Sequence, residues 1–314
     1  MNKWYFILFA LLLSSCYRVP RGIDPVVDYT VQERYLKKLP ASFPPLSPAE
    51  KREDWGKEYL IGLFFAKELD LYQAITAFKR AEFLIPSSEK QRKLEIQYEI
   101  ILCYFLGQKY EEVLSSFKAS DLKFIDSSFP AYNDLLIILY ESYQKVGDPQ
   151  SAQQMLENLR YSSPEEADKL ALSHAISTAD FCSLRPYAAT PSSPPYLKQM
   201  LNCYDNCKKS VSVAQGLNAL LPGAGFLYIG QKQSALTAFL LNGLFIFATY
   251  EFFHHNFIAA GIITASFEAG WYFGGIYGGG EEAKFYNERL YEREAYNVLN
   301  RERLFPVLLL KYGF

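Results

Sequence analysis

Residues 61–86 read IGLFFAKELDLYQAITAFKRAEFLIP, and small and aromatic side chains recur in this stretch at helical spacings. Seven positions carry the pattern, namely Ile61, Gly62, Phe65, Ala74, Phe78, Ala81 and Pro86. Small side chains let a second helix pack closely on the first, aromatic side chains fill the space between them, and the proline ends the second helix. The stretch therefore predicts a pair of packed amphipathic helices.

Two further copies of the pattern follow. The second copy contains Ile100, Tyr104, Gly107, Tyr110, Val113, Phe117 and Ser120, and the third contains Leu139, Tyr143, Gly147, Ala152, Leu156, Leu159 and Pro164. The key small position recurs at Ala74, Val113 and Ala152, every 39 residues. The pattern resembles the tetratricopeptide repeat of about 34 residues. That resemblance implies an all-α chain with a tetratricopeptide-like helical solenoid in which these side chains form the core between helices.

The limits of the repeats are predicted from caps and prolines. The sequence Ser47-Pro48-Ala49-Glu50 is a capping box with proline at the first helical position, so the repeats are expected over 49–182. They would end with a capping helix that starts at Ser163-Pro164-Glu165-Glu166. Six prolines over 16–48 predict an extended tether, and Pro186, Pro191, Pro194 and Pro195 predict a linker over 183–207.

Solenoid repeats bind partners on their concave surface. The resemblance assigns to this surface Tyr59, Leu63 and Ala66; Glu95, Tyr98, Leu102 and Phe105; and Asp134, Ile137, Glu141 and Gln144. An apolar, aromatic groove with carboxylates at one end suits a peptide or a partner helix. The alternative is a groove that the protein's own tether or C-terminal module fills.

The N-terminus has the layout of an export signal. Lys3 gives it a positive start, residues 4–13 are uninterruptedly apolar, and Ser14 and Ser15 follow. The run Leu13-Ser14-Ser15-Cys16 resembles the lipobox of bacterial lipoproteins, which implies removal of the signal 1–15 and attachment of palmitate-type acyl chains to Cys16. The alternative is an ordinary secretory signal in which Cys16 is incidental. Export is expected in either case.

Two long apolar segments follow the linker. Residues 235–253 carry no charge before Glu251, and residues 257–280 carry only Glu268, so both are long enough to cross a bilayer. Small side chains stand at every fourth position of the second segment, at Ser266, Gly270, Gly274 and Gly278, which would let another helix approach closely in lipid. The segments predict a membrane hairpin, with two buried helices of a soluble domain as the alternative.

The residues before and within the hairpin carry a second resemblance. Residues 221–230 read LPGAGFLYIG, and the motifs Leu241-Asn242-Gly243, FEAGWY at 267–272 and KFYN at 284–287 follow. Together they resemble a family of small, uncharacterised bacterial membrane modules, which implies a module over 208–286. The mixed charges and the final aromatic residues separately predict a solvated, charged helix and a strand-like docked tail over 287–314. The family often has a glutamine where this chain has Phe226, so a polar contact at the turn is in doubt.

Asn242 and Glu268 are polar groups within the predicted spans. Ionisable groups inside a membrane are costly and usually face a partner or a water-filled cavity. Glu268 is interpreted as a structural hydrogen-bonding residue, with handling of a proton or substrate as the alternative. His254 and His255 are interpreted as interfacial turn residues rather than metal ligands. Cys203 and Cys207, together with Cys182, leave a disulfide or a metal site open.

Composition excludes several classes of protein. The chain has 314 residues, 50% of them hydrophobic, with a formal charge of -2, five cysteines and three histidines. The charge provides no broad attraction to nucleic acid, and the chain contains no catalytic motif that we can identify. We therefore expect a protein that is not an enzyme and has no cofactor or metal.

The expected function is that of a lipoprotein adaptor or scaffold of the bacterial cell envelope. Its repeats would face the periplasm and bind a protein or peptide there, with Cys16 and the hairpin in membrane lipid and a possible role in envelope or membrane-protein assembly. The alternatives are a component of a membrane enzyme or transporter that uses Glu268, and a purely structural lipoprotein. Topology is contradictory, because the lipobox puts Cys16 outside while Lys208, Lys209 and Lys284 flank the hairpin as they would in the cytoplasm.

Overall fold

A computed structural model gives the fold, and the structure describes residues 19–20, 22–29 and 33–314. The predicted signal 1–15 and the lipidation residue Cys16 lie outside the described residues. Those predictions are therefore untested by the fold.

The described chain is helical. Its α-helices are α1 (Glu33–Leu36), α2 (Asp54–Lys67), α3 (Leu71–Leu84), α4 (Lys90–Leu106), α5 (Tyr110–Ala119), α6 (Tyr132–Val146), α7 (Pro149–Ser162), α8 (Pro164–Ser177), α9 (Phe181–Ala188), α10 (Pro195–Cys207), α11 (Val211–Leu220), α12 (Ala224–Ile229), α13 (Lys232–His254), α14 (Ile258–Arg301) and α15 (Pro306–Leu309). Short 3-10 helices occupy Glu50–Arg52 and Asp121–Phe124. Over the described residues no β-strand forms, and one isolated bridge joins Ala41 to Gly313. The prediction of an all-α chain is confirmed.

The chain divides into two compact units. Unit A comprises Asp28–Ile176 and Tyr296–Phe314, and unit B comprises Ser177–Ala295 with the described residues up to Val27. Both units are assembled from segments that are distant in sequence. Helix α14 contributes residues to each.

Helices of unit A pack in the order of the sequence, and its key small positions lie where the repeat pattern puts them. Ala74 in α3, Val113 in α5 and Ala152 in α7 are fully buried. Gly62 in α2 lies against the ring of Phe78, which is also fully buried. These contacts explain why small side chains recur at this spacing. The fold as a tetratricopeptide-like solenoid remains a prediction.

One residue of the repeats lies elsewhere than the sequence predicts. Ile61, predicted to pack between helices, is exposed, while Trp55 and Tyr59 on the same helix are buried in the core. The repeat of 39 residues is longer than the usual length of about 34, and part of the added length lies between α5 and α6. There, residues 120–131 contain the 3-10 helix Asp121–Phe124.

The predicted capping box forms at the start of the repeats. The backbone N–H of Ser47 donates to the Glu50 carboxylate at 2.6 Å, and the backbone N–H of Glu50 donates to the Ser47 hydroxyl at 3.3 Å. This reciprocal pair satisfies backbone donors that no helical partner reaches. It starts the 3-10 helix Glu50–Arg52, and α2 begins at Asp54.

The segment 183–207 contains two helices, which differs from the predicted linker. Pro195 is the first residue of α10, where its missing N–H costs no hydrogen bond and its fixed φ favours the helix. Pro186 lies inside the eight-residue α9. Counting prolines overlooked their position within the helices. The six residues 189–194 between α9 and α10 form the short connection that remains.

Unit B contains a tight turn between α11 and α12. Gly223 has φ of 93°, and a Cβ built there would lie 2.3 Å from the carbonyl oxygen of Ala235. Buried Asn218 joins three elements, because its amide donates to the Gly275 carbonyl at 2.8 Å and its oxygen accepts from the Gly225 N–H at 2.7 Å.

The predicted second span and the predicted charged helix are one continuous helix, α14, since helix-forming residues follow Gly280 without a break.

Candidate functional site

The inner surface of unit A is occupied by other parts of the same unit. Of the six residues predicted to bind a partner, Tyr59, Tyr98, Phe105, Ile137 and Glu141 are buried and Leu63 is half-buried. These residues are buried because segments from elsewhere in the sequence of unit A lie over the surface that they share. The segments that cover it are the residues around Phe43 and the residues Lys311–Phe314.

The first covering segment is the end of the predicted tether. Phe43 is buried, and its ring centroid lies 5.6 Å from that of Tyr98 and 5.5 Å from that of Phe129. Arg92 holds the following residues, because its guanidinium donates to the carbonyl oxygen of Pro44 at 2.9 Å. The predicted tether is thus packed at this end rather than free.

Arg92 also joins two carboxylates. Its Nε lies 2.7 Å from Glu50 and its Nη1 lies 2.6 Å from Glu95. Hydrogen bonds from Arg92 and Ser47 lower the pKa of Glu50 to about 2. Burial raises the pKa of Glu95 despite the bond from Arg92. The guanidinium therefore fixes the tether to the start of α2 and to α4.

The second covering segment, which we call the tail segment, consists of Lys311–Phe314. One oxygen of the Asp134 carboxylate accepts the backbone N–H groups of Lys311 at 3.0 Å and Tyr312 at 2.9 Å. The Gly313 N–H donates to the Pro40 carbonyl at 2.9 Å, and Phe314 packs on the core formed by α2, α3 and α4. The tail segment is therefore held mainly through its main chain.

An ion pair and a tyrosine hold the first residue of the tail segment and the residues just before it. Lys311 pairs with the half-buried Glu166 of α8. The Tyr35 hydroxyl lies 2.9 Å from the Leu308 carbonyl and 3.1 Å from the Leu310 carbonyl. Leu304, Phe305, Val307, Leu308 and Leu310 are buried. The predicted strand-like tail is instead a short helix followed by an extended peptide.

Buried carboxyl groups line this inner surface. Burial raises the pKa of Asp134 to about 7, although the N–H groups of Tyr312 and Lys311 act in the opposite direction. Burial also raises the pKa of Glu141 and, further, that of Glu99. The groove therefore carries less negative charge near neutral pH than its sequence indicates, which favours an apolar peptide over a strongly basic one.

Unit B presents a large apolar surface. The exposed side chains include Leu236, Phe239, Leu240, Leu244, Ile246, Phe247, Tyr250, Phe257, Ile262, Ile263, Phe267 and Phe273. Among the described helices, α13 alone has the length and mean hydropathy, 1.5, to cross a membrane, and only 6% of its apolar window is buried. The second predicted span, in α14, does not reach that hydropathy. Exposed apolar area of this size marks contact with lipid or another protein.

The small-residue row of α14 lies beside a groove rather than against a helix. A Cβ built on Gly270 or Gly274 would meet nothing within 4 Å, Ser266 is exposed, and only Gly278 approaches another side chain, at 3.7 Å from Phe226. This differs from the predicted packing role of Ser266, Gly270, Gly274 and Gly278. Contact between α13 and α14 is instead made nearer the turn, where the Thr249 and Thr264 hydroxyl groups are 3.1 Å apart.

The groove beside that row has a volume of about 780 Å³ and is open to the exterior of unit B. Phe226, Phe267 and Trp271 line it together with Ala238 and the glycines of α14. Gln231, Gln233 and Glu282 line it as well, and the Gln231 amide donates to the Glu282 carboxylate at 2.5 Å.

The two polar groups predicted inside the spans are both shielded from solvent. Asn242 is buried and its amide donates to the Ala238 carbonyl at 2.6 Å. The Asn242 carbonyl oxygen and both Glu268 oxygens have no hydrogen-bond partner among the described residues. Burying such groups without a partner costs free energy, so they are the polar atoms of unit B with most to gain from a bound donor.

Metal-binding and thiol groups are sparse. Glu251, His254 and His255 form the one group of this type in the described chain, with ligand atoms within 4.8 Å of one another. His254 and His255 are exposed at the end of α13, as expected for turn residues, and a ring contact joins them at 5.2 Å. Cys103, Cys182, Cys203 and Cys207 are free thiols.

Sequence reasoning left open that the protein's own tether fills the groove, but it did not identify Arg92, Phe43 or the tail segment as the residues that do so. A signal for Phe43 was present, because an aromatic side chain in a proline-rich tether has an apolar surface to bury. Lys311–Phe314 gave no such signal, since only folding brings it to Asp134, 177 residues earlier in the chain.

Comparisons of the chain with protein-family models, with curated proteins and with solved structures found no match. The likenesses to tetratricopeptide repeats, to the lipobox and to the membrane modules remain predictions from the sequence.

Proposed function

We propose that the protein is a lipid-anchored adaptor of the bacterial cell envelope, in which unit A binds an extended peptide of a partner protein. The observation that carries this proposal is the contact of Asp134 with the main-chain N–H groups of Lys311 and Tyr312. Recognition through the main chain depends little on the bound side chains, so a peptide of another protein can donate its own N–H groups to the same acceptor. The tail segment would then compete with the partner.

A truncation that ends the chain at Leu310 tests the peptide-binding proposal. We expect the truncated protein to bind a fluorescent peptide of sequence LLKYGF, whereas the full chain, whose groove is filled, binds it at least tenfold more weakly. Replacing Asp134 by Asn in the truncated protein is expected to weaken binding about tenfold or more, because asparagine keeps an acceptor oxygen but loses the charge. A hydrogen bond to a charged group contributes about 1.5–3 kcal/mol, against about 0.5–1.5 kcal/mol for a neutral one. Fluorescence anisotropy measures each affinity.

The matched control is Asp168→Asn in the truncated protein, because Asp168 is an exposed aspartate of α8. A scrambled peptide of the same composition controls for general apolar binding. If the folded, truncated protein does not bind LLKYGF, the adaptor proposal fails.

The membrane part of the proposal is supported by the exposed apolar side chains of α13 and α14. A helix that is apolar on all sides and barely buried is more stable in lipid than in water.

The lipidation part of the proposal rests on the likeness of residues 13–16 to a lipobox. Fractionation with metabolic acyl labelling tests both: we expect a labelled membrane protein, with the label lost in Cys16→Ala. A wild-type chain that carries no acyl label would refute lipidation.

A purely structural lipoprotein is the second candidate. The burial of five of the six predicted binding residues favours it, because a surface that the chain itself fills offers nothing to a partner. Both candidates predict that the truncated protein binds LLKYGF, which is its own tail. They are separated by a library of unrelated extended peptides, which the full chain binds only if it is an adaptor.

A component of a membrane enzyme or transporter is the third candidate, favoured by the unpartnered Glu268 oxygens. Glu268→Gln separates it from the adaptor. Loss of assembly would indicate a structural role, whereas normal assembly with loss of an associated activity would indicate chemistry at Glu268.

A further inference from the structure

The end of α13 holds two of the three histidines of the chain. The helix continues through His254, and the backbone N–H of His255 donates to the Glu251 carbonyl at 3.0 Å, so helical hydrogen bonding extends through His255. Residues three and four positions apart lie on the same face of a helix. Glu251, His254 and His255 therefore share one face. The sequence prediction placed both histidines in a turn after residue 253, so it did not bring them together with Glu251.

The distances among these side chains suit a single metal ion. Nε2 of His255 lies 3.4 Å from a carboxylate oxygen of Glu251. Two ligand atoms at about 2.0–2.1 Å from a tetrahedral zinc ion are about 3.3–3.4 Å apart, so this pair already has the separation that the ion requires.

His254 supplies the third ligand atom. The ligand atoms of all three residues lie within 4.8 Å of one another. His254 is exposed, and exposed side chains change rotamer rapidly. Rotation of its ring can therefore bring a nitrogen to the ion that the other two residues hold.

The chemistry of the three groups determines which ions fit. Imidazole nitrogen is a ligand for zinc and its neighbours among the transition metals, whereas Mg²⁺ and Ca²⁺ prefer oxygen. The Glu251 carboxylate provides negative charge, and the C-terminal end of a helix favours a cation. The His255 side chain is 63% exposed, so an ion can enter from solvent and keep water as its fourth ligand.

We propose that Glu251, His254 and His255 bind one divalent transition-metal ion, and that Zn²⁺ is the ion whose tetrahedral geometry they fit. The ion links the last turn of α13 to the residue that follows it. The site is independent of the lipidation of Cys16 and of peptide binding by unit A.

The test is isothermal titration calorimetry of ZnCl₂ into the full chain, purified in detergent without a histidine tag and treated with a chelator. Cys182, Cys203 and Cys207 are replaced by Ser in every protein, so that these thiols do not compete for zinc. We expect one Zn²⁺ to bind per chain and MgCl₂ to give no binding. His255→Ala and Glu251→Gln are each expected to weaken zinc binding at least about tenfold, since even the groups that orient a metal ligand contribute about 10–100-fold to affinity.

The matched control is His174→Ala, which removes the remaining histidine, in α8 of unit A, and is expected to leave the affinity unchanged. Because His255 and Glu251 are 63% and 40% exposed, their variants are expected to fold as the wild type does. Absence of zinc binding would overturn the proposal and leave Glu251 and His255 as a plain ion pair. Equal zinc affinity of the wild type and His255→Ala, or a loss in His174→Ala as large as that in His255→Ala, would overturn it as well. Binding of Mg²⁺ as tight as that of Zn²⁺ would do the same, because it would indicate attraction to the carboxylate alone.

Discussion

Gly62 lies in α2 against the face of Phe78, and a Cβ built on it would be 2.5 Å from two atoms of that ring. Phe78 is fully buried, so the ring has little room to move. We predict that Gly62→Ala lowers the free energy of unfolding by about 1–3 kcal/mol, the usual cost of overpacking a core. Chemical denaturation followed by circular dichroism measures the change.

The control for this substitution is Gly216→Ala. Gly216 lies in the interior of α11 with nothing within 4 Å of its Cβ position, so alanine there is expected to stabilise the helix by up to about 1 kcal/mol. Equal effects at the two sites would contradict the packing role of Gly62.

Asp134 predicts a pH dependence of stability. Its pKa is about 7 in the folded protein and 3.8 without the fold, so between these values the unfolded chain loses a proton that the folded chain keeps. The free energy of unfolding therefore falls as pH rises from 4 to 7, by up to about 1.4 kcal/mol per pH unit from this group. Above the folded pKa its contribution no longer changes.

The variant Asp134→Asn removes this titration. We expect its unfolding free energy to fall less steeply than that of the wild type across the same pH window, in urea titrations at successive pH values. Glu99 and Glu141 still titrate with raised pKa in the variant, so part of the slope remains. An unchanged slope would show that Asp134 ionises normally in the fold.

Among the elements, the turn before α12 depends on a single residue. Gly223 has positive φ and its Cβ position lies 2.3 Å from the Ala235 carbonyl oxygen, whereas Gly230 has φ of 97° with open space around it. We predict that Gly223→Ala destabilises unit B strongly, because it meets both a backbone clash and an unfavourable φ. Gly230→Asn is expected to be tolerated, since asparagine accepts this conformation.

Thermal unfolding of the detergent-solubilised protein compares the two variants. Comparable midpoints for Gly223→Ala and the wild type would mean that the turn relaxes without loss. A large loss in Gly230→Asn alone would mean that Gly230, rather than Gly223, fixes the turn.

The elements were predictable where one local cause determines them. Ser47 and Glu50 cap a helix through bonds within four residues, and Ala74, Val113 and Ala152 are small because helices cross there. Pro195 misled the prediction, because a proline that starts a helix and a proline in a linker look alike without their neighbours. The sequence could only offer a self-filled groove as an alternative. It could not identify the tail segment as the covering peptide, since Asp134 and Tyr312 meet only through the fold.

For the molecule as a whole, the proposed lipidation of Cys16 predicts a membrane orientation of unit B. Val19, three positions later in the sequence, is buried in a cluster with Val211, Ala214, Ile229 and Ala283 of this unit. If Cys16 carries lipid outside the cytoplasm, the cluster around Val19 and Val211 is held at that same face, and α13, about 34 Å long, carries its far end to the opposite one. We predict that His254 and His255 face the cytoplasm. This orientation would place the basic residues at the base of the helices outside the cytoplasm, contrary to their usual bias.

Thiol labelling in intact spheroplasts tests this orientation. In a chain with Cys182→Ser and Cys203→Ser, the exposed Cys207 is expected to react with a membrane-impermeant maleimide. A second chain that carries those two substitutions together with Cys207→Ser and His255→Cys is expected to react only after permeabilisation. Reaction of His255→Cys from outside would reverse the orientation.

The bond between Asp134 and the tail segment also sets an order of events during synthesis. Asp134 is translated 177 residues before Lys311. Throughout that interval the nascent unit A lacks its final peptide, while the apolar helices α13 and α14 emerge and require handling. Its inner surface therefore lacks the tail segment until α13 and α14 have both been made, so unit A is completed only after these helices.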